Sequence, residues 1–399
     1  MDHYPVSATT QANEVFVSSI KQKLDTIPSL KSIFRVPTKL QEGNEKLYIP
    51  STVSIGPFHH GEEALEYMED HKWHYVFTLL SRQPNLEATL HECVNALRDS
   101  ENMARNFYTE ELNLTSNQFM EMMLVDGCFI IELFLKYALK GVRRRGDPIF
   151  ATHGLLNKIR CDLILLENQI PFLVLQSLFK IVTIPIQCDF TLPELAIHLF
   201  RNMLSLDMEV LSVKLSQECY HLLDLVRQYY LPTYARLQSK KRVSLSDIEC
   251  ATKLKKDCIK FSSFPGAHKS LLDIRFVNGV LEVAPITTHQ FTEMLFSNVI
   301  AWEQHQNDSQ PFTSYAFLMK AMLCSENDVK LFHKQRILIN DGYTEKEVCD
   351  LFKRLCGKVE YVEERFFFEG LIEQINEHRS QRSRRKALRC PFLKTRTST

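Results

Sequence analysis

The sequence predicts a mainly α protein: a single large helical domain with one small β-hairpin near residues 270–284. Three observations carry this. Glycine occurs only 12 times and proline 15 times in 399 residues, too few for the many turns of a β-rich fold. Apolar residues recur at helical spacing along most of the chain. One stretch alternates instead: Leu272, Ile274 and Phe276 stand against Asp273 and Arg275, then Asn278-Gly279 precedes Val280, Leu281 and Val283. Asn-Gly between apolar runs marks a two-residue hairpin turn. A lone hairpin is unstable, so it must lie against the helices.

In chain order, Val15, Phe16, Ile20 and Leu24 predict a first helix over residues 14–24, and a polar connection ends the segment at about residue 44. Pro50, Gly56, Pro57 and Gly61 then forbid a continuous helix, so residues 49–61 form an extended loop on the body. A helix restarts near Glu62, with Leu65, Met68, Lys72, Val76, Leu79 and Leu80 on one side. Helices follow over 84–107 and 115–139. The second contains an apolar run from Met122 to Lys136 that Asp126, Glu132 and Lys136 interrupt, which predicts a buried core helix rather than a membrane span. Residues 143–148 read as a surface loop. Residues 161–175 form a second buried apolar segment, kinked or split by Pro171.

Further helices are expected over 192–204 and 209–230. A polar linker near 237–245 follows, and a Ser246/Glu249 capping box opens a helix through Lys260. After the hairpin come helices at 291–305, 314–323, 328–334, 344–356 and 362–378. The fourth of these has a Thr344/Glu347 capping box. The organisation is thus 1–44 as helix and connection, 45–377 as the helical domain, and 378–399 as a basic, disordered tail.

Composition narrows the chemistry. Hydrophobic residues at 45% and charged residues at 24% are ordinary for a globular chain. Net charge is zero, but eight Arg and Lys residues and no acid lie beyond His378, which leaves the body at about −8. The body is therefore no nucleic-acid surface, whereas the tail suits an anionic lipid surface, RNA or an acidic partner. The 11 cysteines are scattered without a CxxC, as expected of free thiols in a reducing compartment. The N-terminus lacks an apolar signal core. Together these place the chain inside the cell, in the cytoplasm or peripheral to a membrane. Phosphate-binding glycine loops, a GxSxG elbow and HExxH are all missing from the sequence.

Three groups of residues are candidates for chemistry. His71 and His74 share a helix face and could ligate a metal with His59, yet adjacent His59 and His60 point apart and the expectation is no metal and no cofactor. Asp126, Glu132, Asp162 and Glu167 sit in apolar segments. Either they form an acid/base cleft, or each caps a helix or pairs with Lys136, Lys158 or Arg160. A di-iron bundle needs two Glu-x-x-His pairs, and only Glu218-Cys219-Tyr220-His221 occurs. Finally, Lys241-Arg242-Val243-Ser244 makes Ser244 a candidate phosphosite, and Cys390 in the basic tail is a candidate for acylation.

Several blocks, in order, resemble the plant family known as domain of unknown function 247 or uncharacterised protein family 0481. They include Val53-Ser54-Ile55-Gly56-Pro57-Phe58-His59-His60-Gly61, Met68-Glu69-Asp70-His71-Lys72-Trp73 and Val125-Asp126-Gly127-Cys128-Phe129. The segment from Asp162 to Phe172, Ala251-Thr252-Lys253-Leu254, Phe276-Val277-Asn278-Gly279-Val280-Leu281-Glu282-Val283 and Ile300-Ala301-Trp302-Glu303-Gln304 complete the set. The resemblance implies a plant protein without established activity, often membrane-associated, with some members implicated in pollen self-incompatibility. Two positions depart from the family. His74 stands where Arg is usual, and the chain stops in Arg389-Cys390-Pro391-Phe392-Leu393-Lys394 where a membrane span usually follows. The expectation is a non-enzymatic recognition or interaction protein with a protein partner. The alternative is an enzyme using the buried carboxylates.

Overall fold

The computed structural model describes residues 33–389, apart from 205–218, 241–243, 265–269, 307–308 and 341. The helix expected at 14–24 and Cys390 lie outside the described residues, as does most of the first half of the helix expected at 209–230. The fold is mainly α. Its first half gathers round one helix. Helix α1 spans Glu69–Leu80, α2 Leu86–Arg105 and α3 Ser116–Ala138. Helices α4 (Leu155–Asp162), α5 (Phe172–Ile181) and α6 (Leu192–Leu204) follow. Helix α3 packs against α1, α2, α5 and α6, and all its side chains from Met122 to Lys136 are buried. A capping box between Thr115 and Gln118 starts it. Gly127 lets α5 approach, because a Cβ there would lie 2.5 Å from the Leu178 side chain.

The second half stacks α7 (Leu222–Tyr230), α9 (Thr292–His305), α10 (Pro311–Met322), α11 (Glu326–Lys334) and α12 (Glu345–Leu355). Between them lie helix α8 (Ala251–Lys256) and strands β1 (Lys260–Ser263), β2 (Ile274–Val277), β3 (Val280–Val283) and β4 (Ile286–Thr288). Strand β5 spans Leu338–Asn340, and the last helix, α13, spans Glu369–Arg389. The Thr344/Glu347 capping box stands as read from the sequence. No helix among the described residues is long and apolar enough to cross a membrane.

The hairpin turns at Asn278 (φ 50°) and Gly279 (φ 81°), both left-handed, as a type I′ turn requires. It is larger than its sequence signal. Strand β1 adds to β3 in parallel, which gives the order β1-β3-β2, and β4 pairs with β5 in a separate parallel ribbon. The helix expected to run from Ser246 to Lys260 is shorter. Its capping box is Ser244 with Asp247, on a single turn over Leu245–Asp247, and Lys260 already belongs to β1. Helix α8 ends in a Schellman motif with Cys258 at φ 67°, and α11 ends likewise with Arg336 at φ 55°. Left-handed residues at these helix ends redirect the chain into β1 and β5.

Two other expectations are corrected. The final helix begins at Glu369 rather than near 362 and continues past His378 to Arg389, so the first part of the basic segment is helical. Residues 163–171 are buried but not helical. Helix α4 stops at Asp162, and Pro171 stands just before α5. Side-chain amides satisfy this buried backbone in place of helical bonds. Asn168 donates to the carbonyl of Asp162, and Gln169 donates to those of Leu163 and Leu165 at 2.8 Å. From the second half, the Asn298 side chain accepts the Leu166 N–H at 2.9 Å.

Candidate functional site

The loop over residues 49–61 is fastened to the buried acids by its own backbone. One carboxylate oxygen of Asp162 accepts the Ser51 N–H at 3.0 Å, and the other accepts Thr52 at 2.7 Å and Val53 at 2.9 Å. Asn168 accepts the Ile55 N–H at 2.7 Å and donates to the Val53 carbonyl at 3.0 Å. Asp126 takes the Gly56 N–H on one oxygen at 2.7 Å and the Lys72 ammonium on the other at 2.8 Å. Gly56 sits at φ 77°, and a Cβ there would overlap the Gln169 carbonyl oxygen. Only glycine meets both demands. We call this arrangement the latch.

Glu167 holds the chain just upstream. It accepts the Val36 N–H at 2.8 Å and the Gln41 amide at 2.6 Å, with the Arg35 guanidinium at 3.2 Å. Glu132 meets Arg82 at 2.7 Å and 2.6 Å. Lys136, one turn on, bonds Asp147 at 2.7 Å and lies 3.7 Å from the centre of the Tyr75 ring. Each acid is thus met by backbone N–H groups or a cation, although the cations are Lys72, Arg82 and Arg35 rather than Lys158 or Arg160. Lys136 reaches Glu132 only at 3.8 Å.

Burial sets the electrostatics. It pushes the Asp162 carboxyl up to about 6 against the pull of three backbone N–H groups. Burial also raises Asp126, opposed by Lys72 and the Gly56 N–H, and raises Glu132, opposed by Arg82. Lys72 is pulled down by burial, but Asp126 and Glu69 outweigh this and hold it above its ordinary value. A second buried polar group lies at the α7–α9 contact. His221 caps α7 and packs edge-on against Trp302, while Arg227 stacks over that ring and reaches Glu303 at 3.5 Å. Glu303 accepts the N–H groups of Phe312 and Thr313, tying α10 to α9. Burial, aided by Arg227, drops His221 to about 3.

The histidine candidates are not brought together. His59 is buried with one ring nitrogen 2.7 Å from Glu62, while His60 beside it is exposed, His71 half-buried and His74 exposed. Among the described residues no three His, Cys, Asp or Glu side chains gather as metal ligands. Ten cysteines are described, all as free thiols. Ser244 serves as a helix-capping hydroxyl. Sequence reasoning missed Asn168, Asn298, Arg82 and Asp147. Lys72 had a visible signal: it lies on the apolar face of its helix, where an ammonium requires a buried partner.

Two open grooves flank α13. One, of about 480 Å³, is lined by Tyr234, Leu237, Phe264, Phe276, Phe367 and Phe368 among others. The other, of about 570 Å³, lies between the hairpin turn and the basic part of α13. No carboxylate lines either one.

Fold and site together define a helical protein whose buried acids fasten its own N-proximal loop. The family model described as a plant protein of unknown function, DUF247, matches residues 33–397, and the chain belongs to this family. It is 30% identical over 368 residues to the UPF0481 protein At3g47200 of Arabidopsis thaliana, covering 87% of this chain and 76% of that one. It is 22% identical over 450 residues to the putative UPF0481 protein At3g02645 of the same plant, covering 87% and 82%. No solved structure matches the chain.

Proposed function

We propose that this chain is a non-enzymatic recognition protein of a plant cell, of the membrane-associated signalling or self-incompatibility kind, acting through a protein partner. The observation that carries the reading is that Asp126, Glu132, Asp162 and Glu167 are each engaged by the chain's own N–H groups or cations. A general acid or base has to reach a substrate proton, and these carboxylates line neither large groove. The free thiols support a reducing, intracellular location. The exposed Arg382 and Arg384 on α13 support contact with an anionic membrane surface.

Isosteric variants test this. Asp126→Asn, Glu132→Gln, Asp162→Asn and Glu167→Gln are each returned to a plant lacking the chain, with protein abundance and melting measured in parallel. The expected result is that biological rescue tracks the amount of folded protein. A variant that folds to normal levels but fails to rescue would overturn the reading in favour of an enzyme.

A further inference from the structure

We propose that the groove between the hairpin turn and α13 is a binding site for a multiply phosphorylated polyol, free or as a lipid headgroup. Its lipid-headgroup form rests on the membrane contact proposed above, since both use Arg382, whereas its free-ligand form does not. Four nitrogen groups line the groove from three elements: Lys255 near the end of α8, Lys260 at the start of β1, and His378 and Arg382 one turn apart on α13. Gln335 and Asn278 add amide groups to the wall.

Among the described residues the charge here is unanswered. Among the described residues no carboxylate lies within ion-pair distance of these four side chains. The acids nearby already have partners: Asp257 holds Arg379 at 2.6 Å, and Glu249 holds Lys253 at 2.6 Å and Arg379 at 3.4 Å. The His378 Nε2 atom is buried without a hydrogen-bond partner. Its ring packs edge-on against Phe276 and beside Gly279, where a Cβ would stand 3.1 Å away.

The shape argues for a substituted ring rather than a single small ion. The cavity measures about 570 Å³, within the range of small-molecule sites. Donors spread over three elements suit several phosphates, each bearing about −1.5 to −2 charges at neutral pH. Arg382 can bind one as a fork, and the lysines act as point charges.

The experiment uses the full 399-residue chain. One arm measures binding of soluble inositol 1,4,5-trisphosphate by calorimetry. The other measures sedimentation with phosphatidylcholine vesicles, with and without phosphatidylinositol 4-phosphate. Lys260→Glu/Arg382→Glu is compared with Lys158→Glu/Lys180→Glu, whose positions are exposed and line no part of the groove. The expected result is binding in at least one arm, weakened at least ~10-fold by the first pair and unchanged by the second, with melting unaffected in both. Binding of the soluble anion without binding of the phosphorylated vesicles identifies a free ligand, and binding of those vesicles identifies a headgroup. The proposal is overturned by no binding in either arm, by equal loss in both variant pairs, or by binding that survives Lys260→Glu/Arg382→Glu. The last result would assign anion binding to the basic segment at large.

Discussion

The latch over residues 49–61 and the rim of the basic groove both use tight turns and charged side chains, with opposite consequences. At the latch the charges are buried and answered. Asp126 meets Lys72 and the Gly56 N–H, and Asp162 meets three consecutive N–H groups. The left-handed positions in this loop are glycines, Gly56 and Gly61. At the rim, Lys255, Lys260 and Arg382 are exposed, and left-handed conformations fall on Cys258, Asn278 and Arg336 as well as Gly279. A buried charge must be paired within the chain because desolvation is so costly. An exposed charge has no such obligation, so it stays available for something outside. Where charge is answered internally the region is architecture; where it is not, the region can bind.

The latch is most vulnerable at Lys72. Lys72→Met leaves Asp126 buried without its cation and should cost about 3–5 kcal/mol, read by urea unfolding. A loss below about 1 kcal/mol would mean the latch charges are not structural. Gly56→Ala comes next. It adds a Cβ at φ 77° against a backbone carbonyl and should cost about 2–4 kcal/mol. Wild-type unfolding free energy in this variant would remove glycine from the account of the loop.

Acid titration sharpens the same comparison from the interior. His221 has a folded value of about 3, below its unfolded value of about 6.5. Its stabilising contribution is complete above about 6.5 and is lost as pH falls towards 3. Asp162 is raised to about 6, so it has the opposite sign: its contribution is complete below about 4 and is lost as pH rises through 6. His221→Asn isolates the first. The stability advantage of the wild type over this variant should narrow as pH falls from 6.5 to 4.5, by up to about 1.4 kcal/mol per unit. Denaturant melts at several pH values measure it, and a constant difference would mean His221 does not titrate in this way.

The rim should give small effects. Arg336→Gly relieves a left-handed arginine and should stabilise by about 0.5–1 kcal/mol, seen as a higher melting temperature. A lower one would show that the arginine side chain contributes more than its backbone conformation costs. Lys260→Glu/Arg382→Glu should change stability by less than about 0.5 kcal/mol. A larger loss would make these cations part of the architecture and erase the contrast with the latch.

Much of the fold was legible because its signals are local. The capping box at Thr344, the turn at Asn278-Gly279 and the apolar run of α3 are each carried by neighbouring residues. The acids were legible as anomalies, since Asp126 and Asp162 stand in apolar runs. Their partners were not. Asp126 meets Lys72 across 54 positions, and Asp162 meets Val53 across 109. The segment at 163–171 misled for the same reason: its apolar run reads as helix, but Asn168, Gln169 and the distant Asn298 satisfy its backbone in another form. Strand β1 reads Lys260-Phe261-Ser262-Ser263, with one large apolar residue and so no alternation to see.

Sequence by itself determined that the chain is helical, where most helices begin, that a hairpin turns at Asn278-Gly279, and which family it belongs to. These depend on periodicity, caps and short ordered blocks, which neighbouring residues encode. Tertiary structure alone decided which charges are answered and which remain open. Pairing is a matter of distance in space, and burial decides whether an unpaired charge is forbidden or merely exposed.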